Sequence, residues 1–222
     1  RISNNSWGYS TEDEDGHQAL HDAIEAAGEA GHLFIAAAGN GDELGNGVNT
    51  DNTPHYPSSF NLDNIISVAA IDYNDDLAIF SNYGLETVDV AAPGVMVFST
   101  WTWTNGFPDY AWLDGTSMAA PHVSGVAAMV AELHPDWSCG QIRSRVIDGV
   151  RPLSGLALKI DSGGVVNAAN SVTIAGEPPI SDFSYVVDGS GVSFADLSSD
   201  NDGQVTNWSW DFGDGNSSTL QS

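Results

Sequence analysis

Two largely apolar runs constrain the fold of this chain more than any other feature. "HLFIAAAGN", 32–40, and "NIISVAAID", 64–72, lack polar alternation, so each suits a strand buried on both faces. "VDVAAPG", 88–94, is a third and shorter one, and "RISNNSWG", 1–8, opens as a strand that ends at the turn-prone Trp7-Gly8. After an acidic loop, Glu12–Gly16, Leu20, Ala23, Ile24 and Ala27 recur at i, i+3, i+4 and i+7, which predicts a helix over 17–30 with that face buried. Residues 41–55 are polar and glycine-rich, a loop. A second helix is predicted from Ser117 to about Leu133, stopped by His134-Pro135. Pro121 is read into its first turn, where a missing N–H is harmless. Ala119, Ala120, Ser124, Gly125 and Ala128 are read as the small residues that let it sink into a sheet. A third helix, near Ser138–Asp148, turns Ile142, Val146 and Ile147 inward. Helices alternating with short buried strands predict an α/β domain with a largely parallel sheet.

The pattern changes at "AGEPPI", 175–180, where two prolines and a glycine mark a linker between a first domain, 1–174, and a second, 181–222. Beyond the linker "GVSFADLS" and "NWSWDF" alternate, and "GDGNSS" is a turn, so the second domain reads as all-β and sandwich-like. A full sandwich takes about 100 residues, so the expectation is a sandwich only partly contained in 181–222.

Thirty Asp and Glu face five Lys and Arg, a formal net charge of -25. Such a chain is repelled by nucleic acid and by anionic membrane surfaces, and neither is expected as a partner. No run of eighteen apolar residues offers a membrane span. The acidity fits calcium binding, a salt-rich medium or solubility, and composition does not choose among them. The single Cys139 gives no internal disulfide and no zinc cluster.

The phrase "LDGTSMAAPHVSG", 113–125, places Ser117 at the mouth of a helix, beside Gly115. A serine there serves as a cap in most proteins. It also has what a nucleophile needs, because the positive helix end stabilises negative charge developing beside it. The esterase pattern Gly-x-Ser-x-Gly is absent. "GTSMAAPHVSG" resembles the nucleophile segment of the subtilisin-like serine proteases. The resemblance continues through residues 2–8, "FIAAAGN", "YPSSFNLDNIISVAAID", "FSNYGLETVDVAAPG" and "LHPDWSCGQIRSRV", covering about 1–174. It implies a three-layer fold with a mostly parallel sheet and a serine endopeptidase acting on proteins or peptides. Ser117 would form the acyl-enzyme, and Asn40 would donate to the oxyanion. Ser6, Trp7 and Gly8 on one side, with Ala37, Ala38 and Gly39 on the other, would line the pocket for the side chain preceding the scissile bond. Small walls leave room for a large apolar group. Trp7 stands where the family has a smaller aliphatic.

The family's triad runs Asp, His, Ser along the chain. Neither an Asp-Ser/Thr-Gly strand end nor a His-Gly-Thr-His helix start occurs here, so the first two members are expected upstream of residue 1. None of His17, His21, His32, His55, His122 and His134 is expected to replace the base; His55 is read as a loop histidine. Resemblance to the proteinase K-like members implies a structural Ca²⁺ held by the Asp89 carboxylate and the carbonyls of Asp63 and Ile65. The loop "GDELGNGVNTDNTPHY" and the tail acids Asp196, Asp200, Asp202, Asp211 and Asp214 are weaker candidates, since such acids more often hold turns. Residues 181–222 resemble the start of a polycystic-kidney-disease (PKD) domain, which implies secretion to the cell exterior and contact with an extracellular polymer. The competing expectation is a secreted, non-catalytic binding protein built on the same scaffold.

Overall fold

The computed structural model describes all residues except 11–16, 103–107, 174–179, 190, 200–204, 206 and 221–222. The acidic loop, Asp200, Asp202 and all of the linker but Ile180 therefore lie outside the described residues. The chain divides into two compact units, Arg1–Val172 and Thr173–Ser222.

In the first unit, β1 (Ile2–Asn5) and β2 (Tyr9–Ser10) precede α1 (Gln18–Glu29), β3 (Leu33–Ala37), β4 (His55–Tyr56), β5 (Ile65–Ile71) and β6 (Val90–Pro93). An antiparallel pair, β7 (Val97–Thr102) and β8 (Pro108–Leu113), leads into α2 (Thr116–Leu133). Then come α3 (Cys139–Asp148), β9 (Arg151–Pro152), β10 (Gly164–Val165) and α4 (Ala168–Val172). The central sheet has the order β1-β3-β5-β6-β10-β9, parallel except for the β9–β10 edge. Every residue of β3 and β5 is buried, in keeping with sequences that are apolar except for Ser67. Helix α2 covers one face and contributes Ala119, Ala120, Val123, Ala127 and Val130 to the main core. Helix α1 packs through Ile24 on Phe34, Ala36 and Ile65 in a separate cluster.

Three expectations of detail are corrected. Ala23 is exposed, because the buried stripe of α1 runs through His17, Leu20, Ile24 and Ala27. Gly125 and Ala128 also face solvent, and the inward small residue of that turn is Ala127. Pro121 stands five residues after Thr116, beyond the first turn and inside α2.

In the second unit, β11 (Phe183–Asp188) pairs with β12 (Gly191–Asp196), and β13 (Trp210–Asp211) with β14 (Ser217–Ser218), both antiparallel. Phe194 lies against Phe183, Trp210 and Phe212, with ring centroids 5.3–6.1 Å apart. Of the tail acids, Asp196, Asp211 and Asp214 accept backbone N–H groups two residues ahead, which is turn-holding.

Candidate active site

The sheet ends β3 at Ala37, and the chain turns through Gly39 to Asn40 directly beside the N-terminus of α2. Asn82 holds this turn. Its Nδ2 donates to the Ala38 carbonyl at 2.8 Å, its Oδ1 accepts Gly41 N–H at 3.0 Å, and its own N–H donates to the Gly39 carbonyl at 3.0 Å. Thr116 ties the turn to the helix. Its hydroxyl accepts Gly39 N–H at 3.1 Å and donates to Asn40 Oδ1 at 2.9 Å, while its backbone N–H donates to the same Oδ1 at 2.9 Å. A backbone N–H only donates, so the amide oxygen of Asn40 is fixed on that side and its NH₂ is left to donate. A Cβ built on Gly115 would lie 3.4 Å from Asn40 Nδ2, which places that amide over the Gly115–Ser117 turn. Gly115 has φ 151°, and Asn40 is exposed.

Ser117 follows Thr116 in the first turn of α2, where backbone N–H groups have no partner within the helix. Its Oγ donates to the Ser6 carbonyl at 3.2 Å, and Ser6 Oγ donates to the Ser117 carbonyl at 2.7 Å. The second bond answers for Pro121. An α-helix pairs the carbonyl of residue 117 with the N–H of residue 121, and proline has none. The Ser6 hydroxyl supplies the missing donor. Ser6→Ala should therefore destabilise the fold by about 1–3 kcal/mol by orphaning that carbonyl. In a Pro121→Ala background, which restores the helical N–H, the same substitution should cost less. A double-mutant cycle by urea unfolding checks this, and additive effects would refute it.

Two strips meet at the serine. Trp7 is 47% exposed and makes an edge contact with Phe34, whereas the Ala37 and Ala38 side chains are buried in the core, so they offer a substrate only backbone. The gap between the Ser6–Gly8 and Ala37–Gly39 segments is not open. A Cβ on Gly8 would lie 2.2 Å from His55 Cε1, and one on Gly39 would lie 2.8 Å from His55 Cδ2. The imidazole stands between the two glycines and crowds a Cβ at either; Gly39 is also held to glycine by its φ of +100° and by Asn82 Nδ2. Sequence reasoning assigned His55 to a loop; the pair of glycines facing one another across the cleft was the available signal. On the other flank, a groove of about 360 Å³ is lined by Phe98, Trp101, Leu113, Met118, Pro121 and His122.

No histidine bonds the Ser117 hydroxyl. His17 bonds Tyr9, His32 bonds Ser3, and the His55 ring lies 3.3 Å from Ser58 Oγ. His122 turns back onto the Met118 carbonyl, His134 stacks on Trp137, and His21 stands over Phe60. Burial holds His55 below the usual histidine range; burial, followed by the nearby terminal ammonium and Arg1, does the same for His32. Both rings bind protons less readily folded than unfolded. Their contribution to stability is present above pH 6.5 and is lost as pH falls from there through the lower value each ring has in the folded chain. The urea midpoint should drop between pH 7.5 and 5.5, and His55→Gln should flatten that drop.

The calcium assignment meets a different cation. Arg143 Nη2 donates to Asp89 Oδ1 at 2.5 Å, and Arg143 Nε donates to the Ile65 carbonyl at 2.7 Å. Asp89 Oδ2 accepts Ser67 N–H at 2.6 Å, and Asp63 is exposed. Two of the three expected ligands are thus already bridged by a guanidinium, and this donor set does not fit a Ca²⁺ ion, which needs six to eight free oxygens. Burial pushes the Asp89 carboxyl up, and Arg143 draws it back down. Elsewhere, ligand atoms of His21, Asp22 and Glu25 lie within 4.8 Å of one another on α1, as exposed acids commonly do.

The Subtilase family profile matches residues 1–210. This chain belongs to the subtilase family. It is 40% identical over 131 residues to subtilisin DY of Bacillus licheniformis, covering 59% of this chain and 44% of that protein. To thermitase of Thermoactinomyces vulgaris it is 39% identical over 140 residues, covering 63% and 44%. A solved protease of Pseudoalteromonas arctica superposes with a TM-score of 0.64 at 32% identity, covering 77% of this chain and 50% of that one. The chain thus spans half or less of each of these proteins. The α/β fold with a largely parallel sheet agrees with that of this solved relative.

Proposed function

We propose that this subtilase chain is the nucleophile-bearing part of a serine endopeptidase that cleaves peptide bonds through an acyl-enzyme on Ser117. The observation that carries the reading is the Asn40–Thr116–Ser117 arrangement. Two donors hold the Asn40 oxygen and leave its NH₂ beside the helix-mouth serine. Asn40 and the Ser117 backbone N–H then stabilise the oxyanion as the hydroxyl attacks. A hydroxyl is a weak nucleophile until a base takes its proton. With every histidine of residues 1–222 engaged elsewhere, the base and its carboxylate partner are assigned to residues upstream of Arg1. The substrate is protein or peptide, encountered outside the cell. Among the described residues no helix is long and apolar enough to cross a membrane.

Residues 1–222 alone should react slowly with a fluorophosphonate probe. A longer chain that carries the upstream Asp and His should label rapidly and hydrolyse peptides, and Ser117→Ala should abolish both. Full activity of the longer Ser117→Ala chain would overturn the assignment.

The second unit is proposed as a PKD-like module that contacts an extracellular polymer. The supporting observation is a concavity of about 620 Å³ lined by Phe183, Phe194, Trp208, Trp210 and Phe212, rings suited to stacking. Retention on immobilised collagen or polysaccharide that is lost in Trp210→Ala checks it. The competing, purely non-catalytic reading leaves the geometry around Asn40 and Ser117 without a purpose.

A further inference from the structure

The segment that carries His55 is held by its backbone. The His55 N–H donates to Ser59 Oγ at 3.0 Å, and the His55 carbonyl accepts Ser58 Oγ at 2.7 Å and Ser59 N–H at 2.9 Å. Strand β4, to which it belongs, pairs with β2, Ser10 opposite His55. One edge of the ring, Cε1 and Nδ1, faces Gly8, and the opposite edge, Cδ2 and Nε2, faces Gly39. Gly39 cannot yield, since its φ is +100° and Asn82 Nδ2 would lie 2.4 Å from a Cβ there. The ring therefore stands in the space between the two segments that flank Ser117, with its Nδ1 3.3 Å from Ser58 Oγ.

We infer that His55 is a specificity-determining residue that fills the depth of the pocket for the side chain preceding the scissile bond and restricts that side chain to small ones. This rests on the proposed endopeptidase reading for the location of the pocket, and it reverses what small walls alone suggest. The segments are lined with glycine and alanine, but the room they leave is occupied by an imidazole of this chain. Alanine or serine fits above the ring. Phenylalanine needs the volume the ring holds; the backbone under it is anchored by three hydrogen bonds, so room comes only from swinging the imidazole off Ser58 Oγ. Discrimination of this steric kind reaches roughly tenfold to a few hundredfold. The ring is neutral at neutral pH, its proton affinity lowered by burial, so it adds no charge to attract an acidic side chain there.

The test reads binding, so that it does not depend on the proposed upstream base. Acetylated tripeptide acids ending in alanine or phenylalanine are titrated into residues 1–222 and followed by amide NMR shifts around Gly8 and Gly39. The alanine-ended peptide should bind at least about tenfold more tightly. His55→Gly and, as a less flexible alternative, His55→Ala should strengthen binding of the phenylalanine-ended peptide by about tenfold or more. Either variant should leave the alanine-ended peptide within about threefold, and the spectrum of each reports whether it is folded. Preference for the phenylalanine-ended peptide in the unaltered chain overturns the inference. So does equal response of both peptides to the variants, or shifts at neither glycine with either peptide. Failure of Ser117 labelling in a longer chain would instead remove the endopeptidase reading and leave these binding results standing.

Discussion

Asn40→Leu, made in a longer chain that holds the catalytic base, should lower kcat on the order of 10²–10³ and leave KM nearly unchanged. That range is the one known for removing the corresponding donor from subtilisin; it is not a value obtained from this chain. The expectation follows from where the bond forms. Asn40 Nδ2 stands over the Gly115–Ser117 turn, where a tetrahedral oxygen would carry charge and a planar carbonyl would not. Leucine also removes the oxygen that accepts from Thr116 N–H and Oγ–H, so part of any loss in Asn40→Leu could be structural. Asn40→Asp separates the two effects. It keeps an acceptor for Thr116 but replaces the donor with a second oxygen that repels the developing anion. Its kcat should fall at least as far while its melting temperature holds. A fall in KM-controlled binding with kcat preserved in Asn40→Asp would count against an oxyanion role.

The layers of this fold were legible in the sequence because burial on both faces leaves strands 33–37 and 65–71 without a polar residue except Ser67. The proposed site was read for another reason. Asn40 alone passes for a loop residue and Ser117 for a helix cap, and only the phrases "FIAAAGN" and "GTSMAAPHVSG" that contain them point to a shared role. What escaped was set by partners distant in sequence. Pro121 is tolerated inside α2 because a hydroxyl from residue 6 replaces the lost N–H, and nothing near Pro121 announces that. Ala23 fits the helical period but lies at the edge of the stripe and is exposed. His55 and Arg143 are single polar residues whose meaning comes from what they touch. For Arg143 a faint signal existed: it is one of five cations among thirty acids, and it neighbours Ile142 on the inward side of α3.

Arg143→Ala should destabilise the folded chain by up to about 3 kcal/mol, the low end of the cost of breaking a buried ion pair by removing one partner, because this pair is part-buried. For a chain of this size that corresponds to a melting temperature lower by on the order of 10 °C. The side chains of Arg143 and Asp89 are 28% and 13% exposed, so water repairs only part of the loss. Truncation strands the Asp89 carboxylate and the Ile65 carbonyl together. Arg143→Lys should recover only part of the stability, since one ammonium does not reproduce a fork that spans both oxygens. The vacated oxygens are hard ligands, so competition between a guanidinium and a metal ion for them becomes measurable. Millimolar Ca²⁺ should raise the melting temperature of Arg143→Ala by several degrees more than that of the unaltered chain. Adding Asp89→Asn should cancel the difference by removing the charge that draws the ion. Equal calcium shifts in all three proteins would show that Arg143 does not stand in a cation site, and a melting temperature unmoved by Arg143→Ala would remove the buried pair from the account of what holds α3 to the sheet.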